Sequence, residues 1–106
     1  MKKIYLDHAA TTPIDPLVVE SMKPYMTDFF GNPSSMHQLG ASNKKAINNA
    51  RKEVADSIGA SFEEIFFCSS GTEASNWAIK GMATKNPLKR EIITSKIEHH
   101  ATLHTC

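Results

Sequence analysis

Two short stretches of this chain carry residue types whose spacing suggests chemistry: Ser69-Ser70-Gly71-Thr72 and Glu98-His99-His100. The first lies between an apolar run, Ile65-Phe66-Phe67-Cys68, and a helix-forming segment. A helix beginning there presents free backbone N–H groups and the positive end of its dipole, which favour an anion such as phosphate. Gly71 permits close backbone approach, and the Ser70 and Thr72 hydroxyls are donors for phosphate oxygens. The same residues also suit a plain helix cap, since Ser70 and Glu73 have capping-box spacing. On the turn alone, the cap is the commoner outcome.

The second stretch offers histidine, which moves protons near neutrality or stacks on a ring. Here too a cap is an alternative, because Ser95 and Glu98 have the same spacing. Adjacent histidines on a helix point in different directions, so His99 and His100 do not suggest a chelate. His104 lies four residues after His100 and shares its face, but no third ligand is evident and no metal site is expected. Cys68 and Cys106 form neither a disulfide framework nor a spaced metal motif. Cys68 reads as a small buried hydrophobe.

The elements that must position these residues alternate between helix and strand. Asp15 and Pro16 form a helix start, followed by Val19, Met22, Met26, Phe29 and Phe30 at helical spacing. Pro24 should shorten or kink that helix. Phe30 to Ser35 reads as a loop. After Gly40 the spacing predicts a long amphipathic helix with Ile47, Ala50, Val54 and Ile58 as its buried stripe and Gly59 as its stop. Ser61 and Glu64 suit a single turn. Ile65–Cys68 reads as a strand buried on both faces, and a third helix carries Ala74, Trp77, Ala78 and Met82 until Asn86-Pro87 breaks it. Glu91–Thr94 reads as a second strand. Strand, helix and strand in that order form the crossover unit of a parallel α/β sheet, whose ligands bind beyond the carboxyl ends of the strands. Both chemical stretches follow such strands.

With 106 residues, 41% apolar and 22% charged, the chain suits one modest globular domain and not a disordered tail. A net charge of +1 gives no electrostatic case for a nucleic-acid or membrane partner. No run approaches a membrane span, and Asp7-His8 interrupts the apolar stretch after Met1-Lys2-Lys3, so no signal peptide is evident and a cytoplasmic protein is expected.

Four motifs in order span nearly the whole chain. They are Tyr5-Leu6-Asp7-His8-Ala9-Ala10-Thr11-Thr12-Pro13, Gly31-Asn32-Pro33-Ser34-Ser35-Met36-His37, Ser70-Gly71-Thr72-Glu73-Ala74-Ser75-Asn76 with Ala78-Ile79-Lys80-Gly81, and Ile93-Thr94-Ser95-Lys96-Ile97-Glu98-His99-His100-Ala101. Together they resemble the N-terminal portion of the NifS/IscS-type cysteine desulfurases, class V aminotransferase-like enzymes of pyridoxal-phosphate fold type I.

The resemblance implies an α/β fold, the N-terminal part of a type I pyridoxal-phosphate-dependent transferase with an incomplete sheet and helices. It implies an N-terminal arm over 1–15 and the beginning of the large cofactor-binding domain over 16–106. Gly71 and Thr72 match positions that hold the phosphate of pyridoxal 5'-phosphate. His99 matches the histidine that stacks on the pyridine ring and assists proton transfers. His8, Ala9 and Thr11 match an arm close to the active site, and Asn32 and His37 a loop near its mouth. The implied activity converts L-cysteine to L-alanine and passes the sulfur on as a persulfide. The implied partners are the L-cysteine substrate, a second subunit in a homodimer, and a sulfur acceptor or scaffold protein.

The chain departs from the family in what it lacks. The Schiff-base lysine, the aspartate paired with the pyridine nitrogen and the persulfide-forming cysteine lie far downstream in the family. Lys80, Lys96, Cys68 and Cys106 do not stand in matching contexts. In such folds the first two large-domain strands are not sheet neighbours, so these residues alone would leave both without partners. The chain is therefore expected to be an incomplete part of a longer enzyme, inactive by itself. The alternatives are part of a selenocysteine lyase or aminotransferase, or a short non-catalytic product that binds a partner subunit.

Overall fold

A computed structural model describes residues 3–86, 88–89 and 91–106. Pro87 and the start Met1-Lys2, on which expectations above also rest, lie outside the described residues. The chain divides into two compact units, Met1–Phe62 and Glu63–Cys106.

In the first unit, helix α1 spans Pro16–Thr27. Asp15 caps it, its carboxylate accepting the Leu17 N–H at 2.8 Å, and Pro16 occupies the first turn, where no N–H is needed. Pro24 sits inside the helix, which ends within one turn of it. Phe29 and Phe30 fall beyond that end, and none of the helix residues is buried. The predicted apolar face therefore exists but is uncovered.

Helix α2 spans Gln38–Ile58, starting earlier than the sequence spacing predicts. The reason is His37, three residues before Gly40, whose Nδ1 accepts the Gly40 N–H at 3.4 Å and caps the helix. Gly40 lies inside α2 and is buried; a Cβ there would strike the carbonyl oxygens of Ser35 and Asn32. Asn43, one turn on, is 8% exposed and donates its amide to the Phe29 and Gly31 carbonyls. The anchored face of α2 is thus Gly40 and Asn43, with Ala55 buried further along. The predicted stripe is corrected: Ile47, Val54 and Ile58 are exposed, Ile58 to 68%, and Ala50 is exposed as well. Gly59 stops the helix as expected, with φ +66°, and Ala60 N–H closes on the Ala55 carbonyl at 2.9 Å.

Ser61 is followed by one 3₁₀ turn at Phe62–Glu64. In the second unit, helix α3 spans Gly71–Lys85 and ends at Asn86, and α4 spans His100–Leu103. These two helices pack on one another. Phe66 meets Trp77 edge to face, their ring centroids 5.4 Å apart, which holds the 65–68 segment against α3.

Neither Ile65–Cys68 nor Glu91–Thr94 is a strand, and no strand is present among the described residues. A strand exists only through the ladder it shares with a neighbour, and these two segments do not pair. Their side chains are correspondingly uncovered: Phe66 is 65% exposed, against the double-sided burial expected of Ile65–Cys68, and Ile93 is 98% exposed. Cys68 is half-buried and not a core residue. The chain exposes 9623 Å², where a folded monomer of this mass exposes about 5,900 Å².

Candidate functional site

Ser70 caps α3: its hydroxyl oxygen accepts the Glu73 N–H at 3.2 Å. The reciprocal half of the cap is shifted by one residue from the predicted capping box. Glu73 Oε2 accepts both the Ser69 N–H, at 2.6 Å, and the Ser69 hydroxyl, at 2.7 Å. These bonds favour the charged carboxylate, with the Ser69 hydroxyl contributing most, and hold the Glu73 pKa below its ordinary 4.5.

The cap therefore does not exhaust the turn. It occupies the N–H groups of Ser69 and Glu73. The Gly71 and Thr72 N–H groups belong to the first turn and have no carbonyl four residues back within the helix. The Ser70 hydroxyl acts as acceptor in the cap and keeps its proton to donate elsewhere. A Cβ added at Gly71 would meet nothing within 4 Å, so this corner is open. Below it, the Asn76 amide donates to the Thr72 carbonyl at 3.0 Å and steadies the first turn. Main-chain N–H groups and hydroxyl protons converging at a helix start make a donor set suited to a phosphoryl group.

His99 caps α4, with φ −60° and ψ 145°, and its Nδ1 accepts the Ala101 N–H at 3.1 Å. A backbone N–H only donates, so Nδ1 carries no proton in this arrangement, and the neutral ring bears its proton on Nε2. The cap thus fixes both the ring and the nitrogen that is left free. Glu98 N–H returns to the Ser95 carbonyl at 3.4 Å, and the Ser95 hydroxyl accepts the Ile97 N–H at 3.3 Å. The loop therefore closes through Ser95, with no bond from Glu98 in the capping-box sense.

Both predicted positions belong to the second unit, and the contact between α3 and α4 links the elements that carry them. The groove on this contact is lined by Ile79, Ile92, Ser95, Glu98 and Thr102, and includes neither Thr72 nor His99. His100, the first residue of α4, and His104, its C-cap, stand one turn apart, Nδ1 to Nε2 at 3.3 Å. Among the described residues no three His, Cys, Asp or Glu side chains gather as a metal site.

In the first unit, the Asn32 side chain accepts the Ser34 N–H at 2.8 Å, while His37 caps α2. The 31–37 loop is thus tied at both ends by its own side chains. Sequence reasoning missed Asn43, which pins this loop's entry through Phe29 and Gly31. The available signal was Gly40, Asn43 and Ile47 at helical spacing, a polar residue inside an apolar face.

A helix start with open donors after an apolar segment, and a capping histidine on a second helix, sit in a chain whose residues 4–106 match the aminotransferase class-V family. The chain belongs to that family. It is 58% identical to a cysteine desulfurase IscS of Methanosarcina thermophila over 99% of its own length and 26% of that protein's. A solved NifS-like protein superposes with a TM-score of 0.93 and 41% identity, over 98% of this chain and 29% of that one. A second solved structure, SspA in complex with cysteine, superposes with a TM-score of 0.87 and 45% identity, over 96% and 30% of the two chains. The fold is that of a part of the NifS-like proteins, and the chain spans about a quarter of the curated relatives it matches. No helix among the described residues is long and apolar enough to cross a membrane.

Proposed function

We propose that the chain is the N-terminal, cofactor-side portion of a pyridoxal-phosphate-dependent cysteine desulfurase. The observation that carries this reading is the 58% identity to a desulfurase across 99% of the chain. Residues 1–15 then form an arm, and 16–106 begin the cofactor-binding domain. Ile65–Cys68 and Glu91–Thr94 become strands when other residues of the sheet flank them.

In this reading the Gly71 and Thr72 N–H groups and the Ser70 and Thr72 hydroxyls hold the phosphate. The α3 dipole adds to their field. Glu73 keeps Ser69 occupied, so the turn is held in shape before any ligand arrives. When bound, pyridoxal phosphate supplies the electron sink that activates the amino-acid substrate. His99 would stack on the ring, and its cap leaves Nε2 as the proton-bearing nitrogen, which suits it to donate. To act as a base at Nε2, His99 must give up the Ala101 bond and carry its proton on Nδ1 instead.

The overall conversion is balanced: L-cysteine and an acceptor thiol give L-alanine and the acceptor persulfide. The lysine, the ring-nitrogen partner and the acceptor cysteine come from residues outside this chain. The solved relative bound to cysteine supports an amino-acid substrate of that size. A homodimer, a sulfur-accepting partner protein and a cytoplasmic location complete the proposal. The test is to supply L-cysteine and a thiol acceptor to the full-length protein carrying this chain. Alanine and persulfide in equal amounts support the reading. Keto-acid formation, or cofactor binding without alanine release, contradicts it.

A further inference from the structure

His100 and His104 lie outside the cofactor site proposed above, and their geometry carries a separate consequence. The backbone between them is one closed helical turn, since the His104 N–H donates to the His100 carbonyl at 3.0 Å. Both side chains are exposed, with ring centroids 5.2 Å apart. Their facing nitrogens, His100 Nδ1 and His104 Nε2, are 3.3 Å apart. Two imidazole nitrogens at about 2.0–2.1 Å from a tetrahedral zinc ion are separated by about 3.3–3.4 Å, the edge of that tetrahedron. The turn thus sets the two nitrogens at the spacing a chelated zinc ion needs.

We propose that His100 and His104 form a two-histidine site for a divalent transition cation of the zinc type. The remaining positions are filled by water, because both rings are open to solvent. In the free chain the two facing nitrogens are at hydrogen-bonding distance, 3.3 Å, so one ring donates its N–H to the other. The cation takes the place of that proton, which moves to the outer nitrogen of its own ring, so neutral rings release no net proton. His99 is the nearest further imidazole, with its centroid 6.2 Å from that of His100, but its Nδ1 is occupied by the Ala101 N–H. Imidazole is a common ligand for zinc, copper and nickel, which distinguishes this site from an oxygen-based magnesium or calcium site.

The test is Zn²⁺ titration of the full-length protein carrying this chain, in a C68S/C106S background that removes the thiolate ligands of this segment. Saturable binding of one equivalent is expected, weakened by more than about ten-fold in H100A and in H104A, since even outer-shell partners of metal ligands are worth about ten-fold or more. H104A/T105H keeps the number of histidines but moves the second ring off the face, and it should lose affinity like H104A. Absence of saturable Zn²⁺ binding in the background protein, or unchanged affinity in H104A or in H104A/T105H, overturns the proposal.

Discussion

At the level of single residues, hydrogen-bond direction is more informative than residue type. The motif marks His99 as a group that handles protons, yet it does not say which nitrogen is free. The Ala101 N–H on Nδ1 answers that, and the expected result in ¹⁵N NMR of the neutral ring is the Nε2–H tautomer. A dominant Nδ1–H tautomer would mean the cap is not formed. Glu73 gives a pH prediction whose sign is fixed by its partners. Ser69 lowers its pKa in the folded turn, so its stabilisation is complete above the ordinary 4.5 and is lost as pH falls through the lower folded value. The protection factor of the Ser69 amide should therefore fall as pH drops below the ordinary 4.5, and E73Q should remove that loss of protection. Asn43 donates to two carbonyls, so Asn43→Ala should cost about 1–3 kcal/mol through the acceptors it leaves unpaired. Asn43→Asp should cost more, because a carboxylate would face those same oxygens. Chemical denaturation of the full-length protein distinguishes the two.

Among the elements, the helices were legible in the sequence wherever a local signal defines an end. Asp15-Pro16 started α1 and Gly59 stopped α2, because a cap and a left-handed residue act within a few positions. The start of α2 was misplaced because histidine is not a usual cap and Gly40 looked like a boundary. It is instead a close-approach position under the 32–35 turn. Gly40→Ala should accordingly destabilise the protein by about 1–3 kcal/mol, read as a lower thermal midpoint. The two strands were read from apolar content alone, and pairing is what the content of a single segment cannot supply. The 69–72 turn is half legible: the capping-box spacing is visible, but not that Glu73 reaches Ser69 and leaves the Gly71 and Thr72 donors open.

Across the whole molecule, the exposed area sets the limit. The chain exposes 9623 Å², against about 5,900 Å² for a folded monomer of its mass. Ala55 is its one buried apolar residue among those described, while Trp77, Phe66 and Ile92 stand open to water. With so little apolar burial there is little to offset chain entropy. The 106 residues by themselves should bind an apolar dye and unfold without a cooperative transition; a sharp calorimetric peak would contradict this. In the proposed reading, the sheet partners and the rest of the pocket come from residues outside this chain. The most direct measurement of the central claim compares cofactor affinities in the full-length protein, wild type against T72A. The account predicts that T72A weakens pyridoxal phosphate by about ten-fold or more, a charge-assisted bond being worth about 1.5–3 kcal/mol, while pyridoxal without its phosphate binds unchanged. Equal affinity of both proteins for pyridoxal phosphate, or an equal loss for both ligands, would contradict the placement of the phosphate at the start of α3.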